Sequence, residues 1–308
     1  MIKASKRLAP IEFSNRFLKL QIAPEFGGRI DQISELATGK NWLWHPDDYD
    51  ATLPRRLTPG ASFDRHWTGG WDEIFPNDEA CRFQSRDLVD HGELWSQAWR
   101  VVDSGPRHVK LAYLLETVPV VAEKLVRLLD DEPRIQVQYC FKNLSRESIP
   151  YLFKLHPALA IEEGDEIRLP SCEIEPVELG FSQLIGRASK TQFPFAFSAD
   201  GTEVRLDRVR PRETELREFF YSSKLERGEC GLHNRRTGST LTFKFDTGQF
   251  PYVWAFQSYG GFHGHYVMML EPCTTKPYNL EAALRAGSCP SLEPGETREL
   301  QVEVTITQ

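Results

Sequence analysis

Apolar and polar residues alternate with a period of two through most of this chain, which predicts strands far more often than helices. Residues 17–22 read FLKLQI, and residues 109–118, 121–129 and 134–141 form three consecutive β-like runs. Pro119 and the turn residues Asp130, Asp131, Glu132 and Pro133 separate them. Further strands are predicted over 240–245, 252–258, 265–270 and 299–307. Helical periodicity is scarce. The best stretch is 278–286, YNLEAALRA, with Asn279 placed to cap it and Gly287 beyond its end; residues 213–220 are a weaker candidate. The 21 glycines and 20 prolines are spread evenly, and no linker or low-complexity tract divides the chain. The expectation is an all-β fold of large antiparallel sheets with few short helices, one domain over 1–308, and long loops at 44–64 and 170–210.

Two strand-like runs carry an ionisable residue followed by proline or closed by it. YLFKLHPALAI, residues 151–161, places Leu152, Lys154, His156 and Ala158 on one face and Tyr151, Phe153 and Leu155 on the other. A lysine two residues from a histidine on one face suits a wet recess better than a packed core, and the cation would hold the imidazole pKa down. VMMLEPCTTKP, residues 267–277, ends an apolar strand on Glu271, which Pro272 holds extended. Histidine exchanges a proton near neutral pH and a carboxylate accepts one, so these residues are a candidate acid and base if the fold joins them. The plainer alternatives are a structural histidine at a strand end and a glutamate that reaches solvent.

A third cluster is GGWDEIFPND, residues 69–78, followed by DHGELWSQAW, residues 90–99. Trp71, Trp95 and Trp99 offer flat apolar surfaces of the kind sugars stack against. Asp72, Glu73, Asn77, Asp78, His91 and Glu93 offer groups that bind hydroxyls. Tryptophans that plug one end of a sandwich are the alternative. In FQSYGGFHGHY, residues 256–266, Gln257 joins the candidate substrate-binding residues, while His263 and His265 have no further ligand at metal-site spacing and read as a turn. No phosphate loop or nucleophile motif is present.

Composition narrows the classes. The apolar fraction is 40%, with 19 Phe, 9 Tyr and 7 Trp, enough for a large core. A net charge of -7 argues against nucleic acid or anionic membrane as partner. MIKASKRLAPIEFS at the N-terminus has no apolar run behind its basic residues, which predicts no signal peptide. Six scattered cysteines without metal-like spacing read as reduced thiols, so a cytoplasmic protein is expected.

KLHPALAI, the LEP run after its aromatic–glycine turn, and the closing LEPGETRELQVEVTI together resemble the aldose 1-epimerases, the galactose mutarotase-like proteins. GGWDEIFP and HGELW are similar to blocks of the hexose-6-phosphate epimerase branch, and the similarity runs in order over nearly the whole chain. The resemblance implies a β-supersandwich with a sugar cleft, His156 as general acid, Glu271 as general base, and His91 as a second histidine at the ring oxygen or a hydroxyl. It implies a small sugar as partner and no metal or organic cofactor, with the protein a monomer or homodimer. Ser222, Ser223 and Lys224 stand where family members carry an acidic sugar-binding residue, and Trp95 replaces an arginine. Lys154, Lys224 and Arg65 point to a modified or anionic hexose. A non-catalytic sugar-binding protein and a polysaccharide lyase on the same scaffold are the competing classes.

Overall fold

Period-two alternation becomes pairing most directly in the C-terminal third of the chain, where residues 240–245 form the strand Thr240–Phe245. That strand pairs with Thr297–Thr307, which pairs in turn with Arg134–Asn143. Along the second pairing Ile135, Val137 and Tyr139 lie opposite Val304, Val302 and Leu300, all buried, while Gln136 and Gln138 face Glu303 and Gln301 on the other side. One buried and one solvated face is the arrangement such alternation encodes.

The structure, a computed structural model, describes residues 9–50, 57–58, 60–83 and 85–308. Two large antiparallel sheets dominate it. One has ten strands, in which Trp71–Ile74, Lys154–Ala160, Tyr266–Cys273, Tyr252–Tyr259 and Leu216–Ser223 lie side by side. The other has eight strands and contains the three strands named above. The sheets meet through one contiguous core drawing residues from Phe13 to Ile306. Trp71 packs edge-on against Phe243 at 5.2 Å between ring centroids, and Phe75 stacks on Phe141 at 4.5 Å. No helix among the described residues is long and apolar enough to cross a membrane.

Two expectations change. Residues 213–220 are not helical: a single 3-10 turn, Arg212–Thr214, leads into the strand Leu216–Ser223. That strand hydrogen-bonds with Tyr252–Tyr259 on one side and Glu173–Pro176 on the other, and sheet pairing overrides a weak helical preference. Residues 170–210 are not a bare loop, since they hold the strands Glu173–Pro176, Thr191–Gln192, Phe195–Phe197 and Glu203–Arg205. Of the 44–64 segment, residues 51–56 and 59 lie outside the described residues. The 278–286 helix is Leu280–Arg285, and Asn279 caps it by accepting from the Ala282 N–H at 2.9 Å.

Candidate active site

The His156 strand is buried on both faces, and its alternation divides cleanly. Tyr151, Phe153 and Leu155 belong to the intersheet core, whereas Leu152 and Ala158 join a second apolar cluster on the opposite face of the ten-stranded sheet. Lys154 and His156 share that opposite face. Lys154 lies opposite Cys273 and Ala158 opposite Met269, a register that sets His156 beside Glu271. Pro157 and Pro272 leave this stretch without a full backbone ladder, so side chains make the connection.

His156 Nε2 lies 3.0 Å from Glu271 Oε1, and both residues are almost wholly buried. Lys154 Nζ donates to Asp78 Oδ2 at 2.9 Å, stands 3.4 Å from Glu271 Oε2, and sits 4.3 Å over the Trp254 ring. Burial pushes the Glu271 carboxyl up to about 7 against the pull of Lys154. Burial, then Lys154 and His91, holds His156 well below the usual imidazole value. Burial also opposes the Lys154 charge, but Asp78 and Glu271 more than offset it and keep the ammonium protonated. The His156–Glu271 unit therefore carries one proton between two groups near neutral pH.

These residues form the floor of a cavity of about 340 Å³. Phe63 and Trp67, at either end of the short helix Phe63–His66, stand edge-on to His156 at 5.1 and 5.6 Å. His91 stacks on Phe63 at 4.0 Å, and its two ring nitrogens meet Asp78 at 3.2 Å and Asp90 at 2.9 Å. A substrate hydroxyl would have to replace one of these carboxylates to reach His91. The His91 backbone is left-handed at φ 56°, as is that of Gly92 at φ 62°. A Cβ at Gly92 would lie 2.0 Å from the Phe75 carbonyl oxygen. Gly92→Ala is accordingly expected to lower the denaturation midpoint more than Gly39→Ala. Gly39 has φ 72° but nothing within 4 Å, so its alanine variant carries only the backbone strain of about 1–2 kcal/mol.

His156, Glu271, His91, Lys154 and Asp78 thus share one cavity, and the remaining candidates lie elsewhere. Trp71 is buried between the sheets and cannot stack on a ligand. Glu73, on the same side of its strand, accepts from Lys124 Nζ at 2.6 Å and from the Tyr139 hydroxyl at 2.7 Å inside the core. Asp72 pairs across strands with His156 but is outside the cavity lining, and burial, against Arg29, raises its pKa to about 7. Trp95 is buried behind Phe63, edge-on at 4.8 Å, and buttresses that ring. Gln257 faces the core side, donating to the Leu206 carbonyl at 2.9 Å and accepting from the Tyr259 hydroxyl at 3.1 Å. Lys224 is a surface residue paired with Glu173 at 2.7 Å, and Arg65 is exposed outside the cavity lining. Of the other polar candidates, Asn77 and Glu93 are buried and tie down loops, Asn77 through the Glu79 and Val89 carbonyls and Glu93 through the Thr117 and Glu116 amides.

Sequence reasoning missed most of the walls. Phe63, Trp67, Phe181, Phe219, Phe256 and Phe262 line the cavity, with His265 and Tyr278. Phe219 and Phe256 are cross-strand partners, and Phe256 lies opposite Met269, so three adjacent strands present one apolar surface. Their alternation is legible, but not the strand order that assembles them. Among the described residues no group of three or more His, Cys, Asp or Glu side chains is placed to hold a metal ion.

An almost all-β chain built on two large antiparallel sheets matches the fold of galactose mutarotase-like proteins. Solved structures that match over nearly the full length include the Slr1438 protein of Synechocystis sp. PCC 6803, 13% identical, with a TM-score of 0.72 over 100% of this chain and 98% of the other. A galactose mutarotase-like protein from Lactobacillus casei is 15% identical, with a TM-score of 0.69 over 97% and 100%. A candidate aldose 1-epimerase from Escherichia coli K12 is 14% identical, with a TM-score of 0.71 over 97% and 98%. At these identities the likeness is one of fold. A family model described as a domain of unknown function, DUF4432, matches residues 208–306. No curated protein matches the chain.

Proposed function

We propose that the chain is an aldose 1-epimerase, interconverting the α and β anomers of a free sugar by acid–base ring opening. The observation that carries this reading is the 3.0 Å contact between His156 and Glu271 at the floor of the cavity. Mutarotation needs one group to take the proton from the anomeric hydroxyl and another to give a proton to the ring oxygen. Both oxygens sit on the same carbon, so an acid and a base that are neighbours suit the reaction. In the form of the pair that has the shared proton on His156, the Glu271 carboxylate takes the O1 proton, the C1–O5 bonding pair passes to O5, and O5 receives the proton from His156. Rotation about C1–C2 and the reverse transfers close the other anomer. A pair that shares one proton always contains one acid and one base.

The anionic-sugar expectation does not fit the charges. Among the described residues six carboxylates line the cavity, from Asp64, Asp78, Glu79, Asp90, Glu178 and Glu271, against one ammonium, that of Lys154, already paired with two of them. We therefore take the substrate to be uncharged.

Anomer-resolved NMR on a panel of neutral, deoxy and charged free sugars tests the reading. Exchange above the buffer rate is expected, with a bell-shaped pH dependence. As pH rises through about 7 the pair gives up its shared proton and the acid is lost. Well below the usual imidazole value His156 takes a second proton and the base is lost. Lys154→Met removes a cation that lowers both values, so both limbs should move to higher pH. No acceleration with any sugar of the panel would sink the proposal.

A further inference from the structure

Among the described residues one side of the cavity is mostly carbon and sulfur, bordered by His265, whose ring lies 6.3 Å from that of Phe262, and by Tyr278. Val177, Phe181, Phe219, Phe256, Phe262 and Met269 form this side, drawn from three adjacent strands and two loops. The four phenyl rings make a continuous surface: Phe181 lies 5.7 Å from Phe256 and 6.0 Å from Phe262, and Phe256 lies 5.6 Å from Phe219 and 5.4 Å from Phe262. Phe181, Phe219 and Phe262 are only partly buried, so this surface faces the cavity and is not closed off as core. The Glu271 strand continues into it through Met269, two residues from the carboxylate on the same face.

A plain hexose carries an oxygen on every ring carbon. It can lay a C–H face on one phenyl ring, but every hydroxyl turned into the rest of the wall gives up water and gains no partner, which lowers affinity on the order of tenfold or more for each one. Sugar-binding sites that read hydroxyls place polar side chains around them, because the unmade hydrogen bond then discriminates. Among the described residues most polar groups of this cavity gather instead around His156, Glu271, Lys154, His91 and Asp78, with His265 and Tyr278 at the edge of the wall. The opening adds Asp64, Glu79 and Glu178, all exposed carboxylates, which repel an anion.

Resting on the aldose 1-epimerase reading, we infer that the substrate is an uncharged sugar carrying an apolar substituent, a deoxy, alkyl or aryl group, that packs on the phenylalanine wall while its hemiacetal meets His156 and Glu271. Burying a phenyl group there is expected to strengthen binding about 10- to 100-fold over the parent sugar.

Calorimetric titration of the whole protein with glucose, galactose, their 6-deoxy forms, their 4-O- and 6-O-benzyl ethers and glucuronate tests this. Titrating both the native protein and Glu271→Gln separates affinity from turnover. At least one apolar-substituted sugar should bind about tenfold or more tighter than its parent, and glucuronate should bind more weakly than glucose. Phe181→Ser should erase the preference; Phe262→Ser provides a second reading of the same wall should the first variant fold poorly. Equal affinity of every ether and deoxy sugar with its parent, tighter binding of glucuronate, or no saturable binding by any substituted sugar overturns the inference. Preferential binding without anomer exchange would keep the inference and remove the epimerase reading. Exchange of plain hexoses without preference would do the reverse.

Discussion

Glu271→Gln should slow anomer exchange by about 10²–10⁴-fold, the usual worth of one positioned acid or base. Glutamine keeps the shape of the side chain and can still meet His156 Nε2, so the cavity floor stays filled. It cannot accept the anomeric proton and then hold it as an acid. The carboxylate is already part-way to its task, because burial has raised its pKa to about 7 and so increased its basicity. His156→Ala should produce a loss of similar size, and the double variant should lose little more, since the two groups act as one proton-sharing unit. Polarimetry or anomer-resolved NMR on the best sugar of the panel measures all three. A loss below about tenfold in both single variants, with binding intact, would remove His156 and Glu271 from the acid and base roles.

The second large effect concerns stability. Lys124→Met is expected to destabilise the fold by about 3–5 kcal/mol, because it strands a charge inside the protein. Lys124 Nζ and Glu73 Oε1 are 2.6 Å apart with both side chains fully buried between the sheets, and Tyr139 supplies the other bond to that oxygen. Removing the ammonium leaves a carboxylate whose pKa burial already pushes up. Lys124→Met with Glu73→Gln should recover much of the loss, since neither partner is then left charged. The sign of the pH effect follows from proton linkage. In the single variant Glu73 binds its proton more tightly folded than unfolded, so stability falls as pH rises above the unfolded glutamate value of about 4.3. Denaturant titrations at pH 5 and pH 8 should therefore show the larger loss at pH 8. Equal stability of native protein and Lys124→Met would refute this account.

Trp71, Asp72 and Glu73 mark the limit of what sequence reading gives here. Sequence reading groups all three in one candidate cluster, whereas in the strand Trp71–Ile74, Trp71 and Glu73 share one face and Asp72 takes the other. Every residue of Trp71–Ile74 is buried, so no polar face announces which side meets the other sheet. When both faces of a strand are covered, the binary pattern loses its direction, and a tryptophan in the core looks like a tryptophan in a cleft. Lys154 shows the same ambiguity in electrostatic form. Its placement on the His156 face was legible, but its neutralisation by Asp78 and Glu271 removes the anion-binding meaning a lone lysine suggests.

The sequence by itself determined the all-β class, most strand positions, the Asn279 helix cap, and the two ionisable strand residues followed by proline. These are local properties, set by side-chain periodicity and by what proline and capping side chains allow within a few residues. Only the tertiary structure decided that Glu271 stands beside His156, that Trp71 and Gln257 belong to the core, and that Phe181, Phe219, Phe256 and Phe262 wall one side of the cavity. Those facts depend on strand order and on which face turns outward. Both are fixed by long-range packing of two sheets, for which no short window of sequence carries a signal.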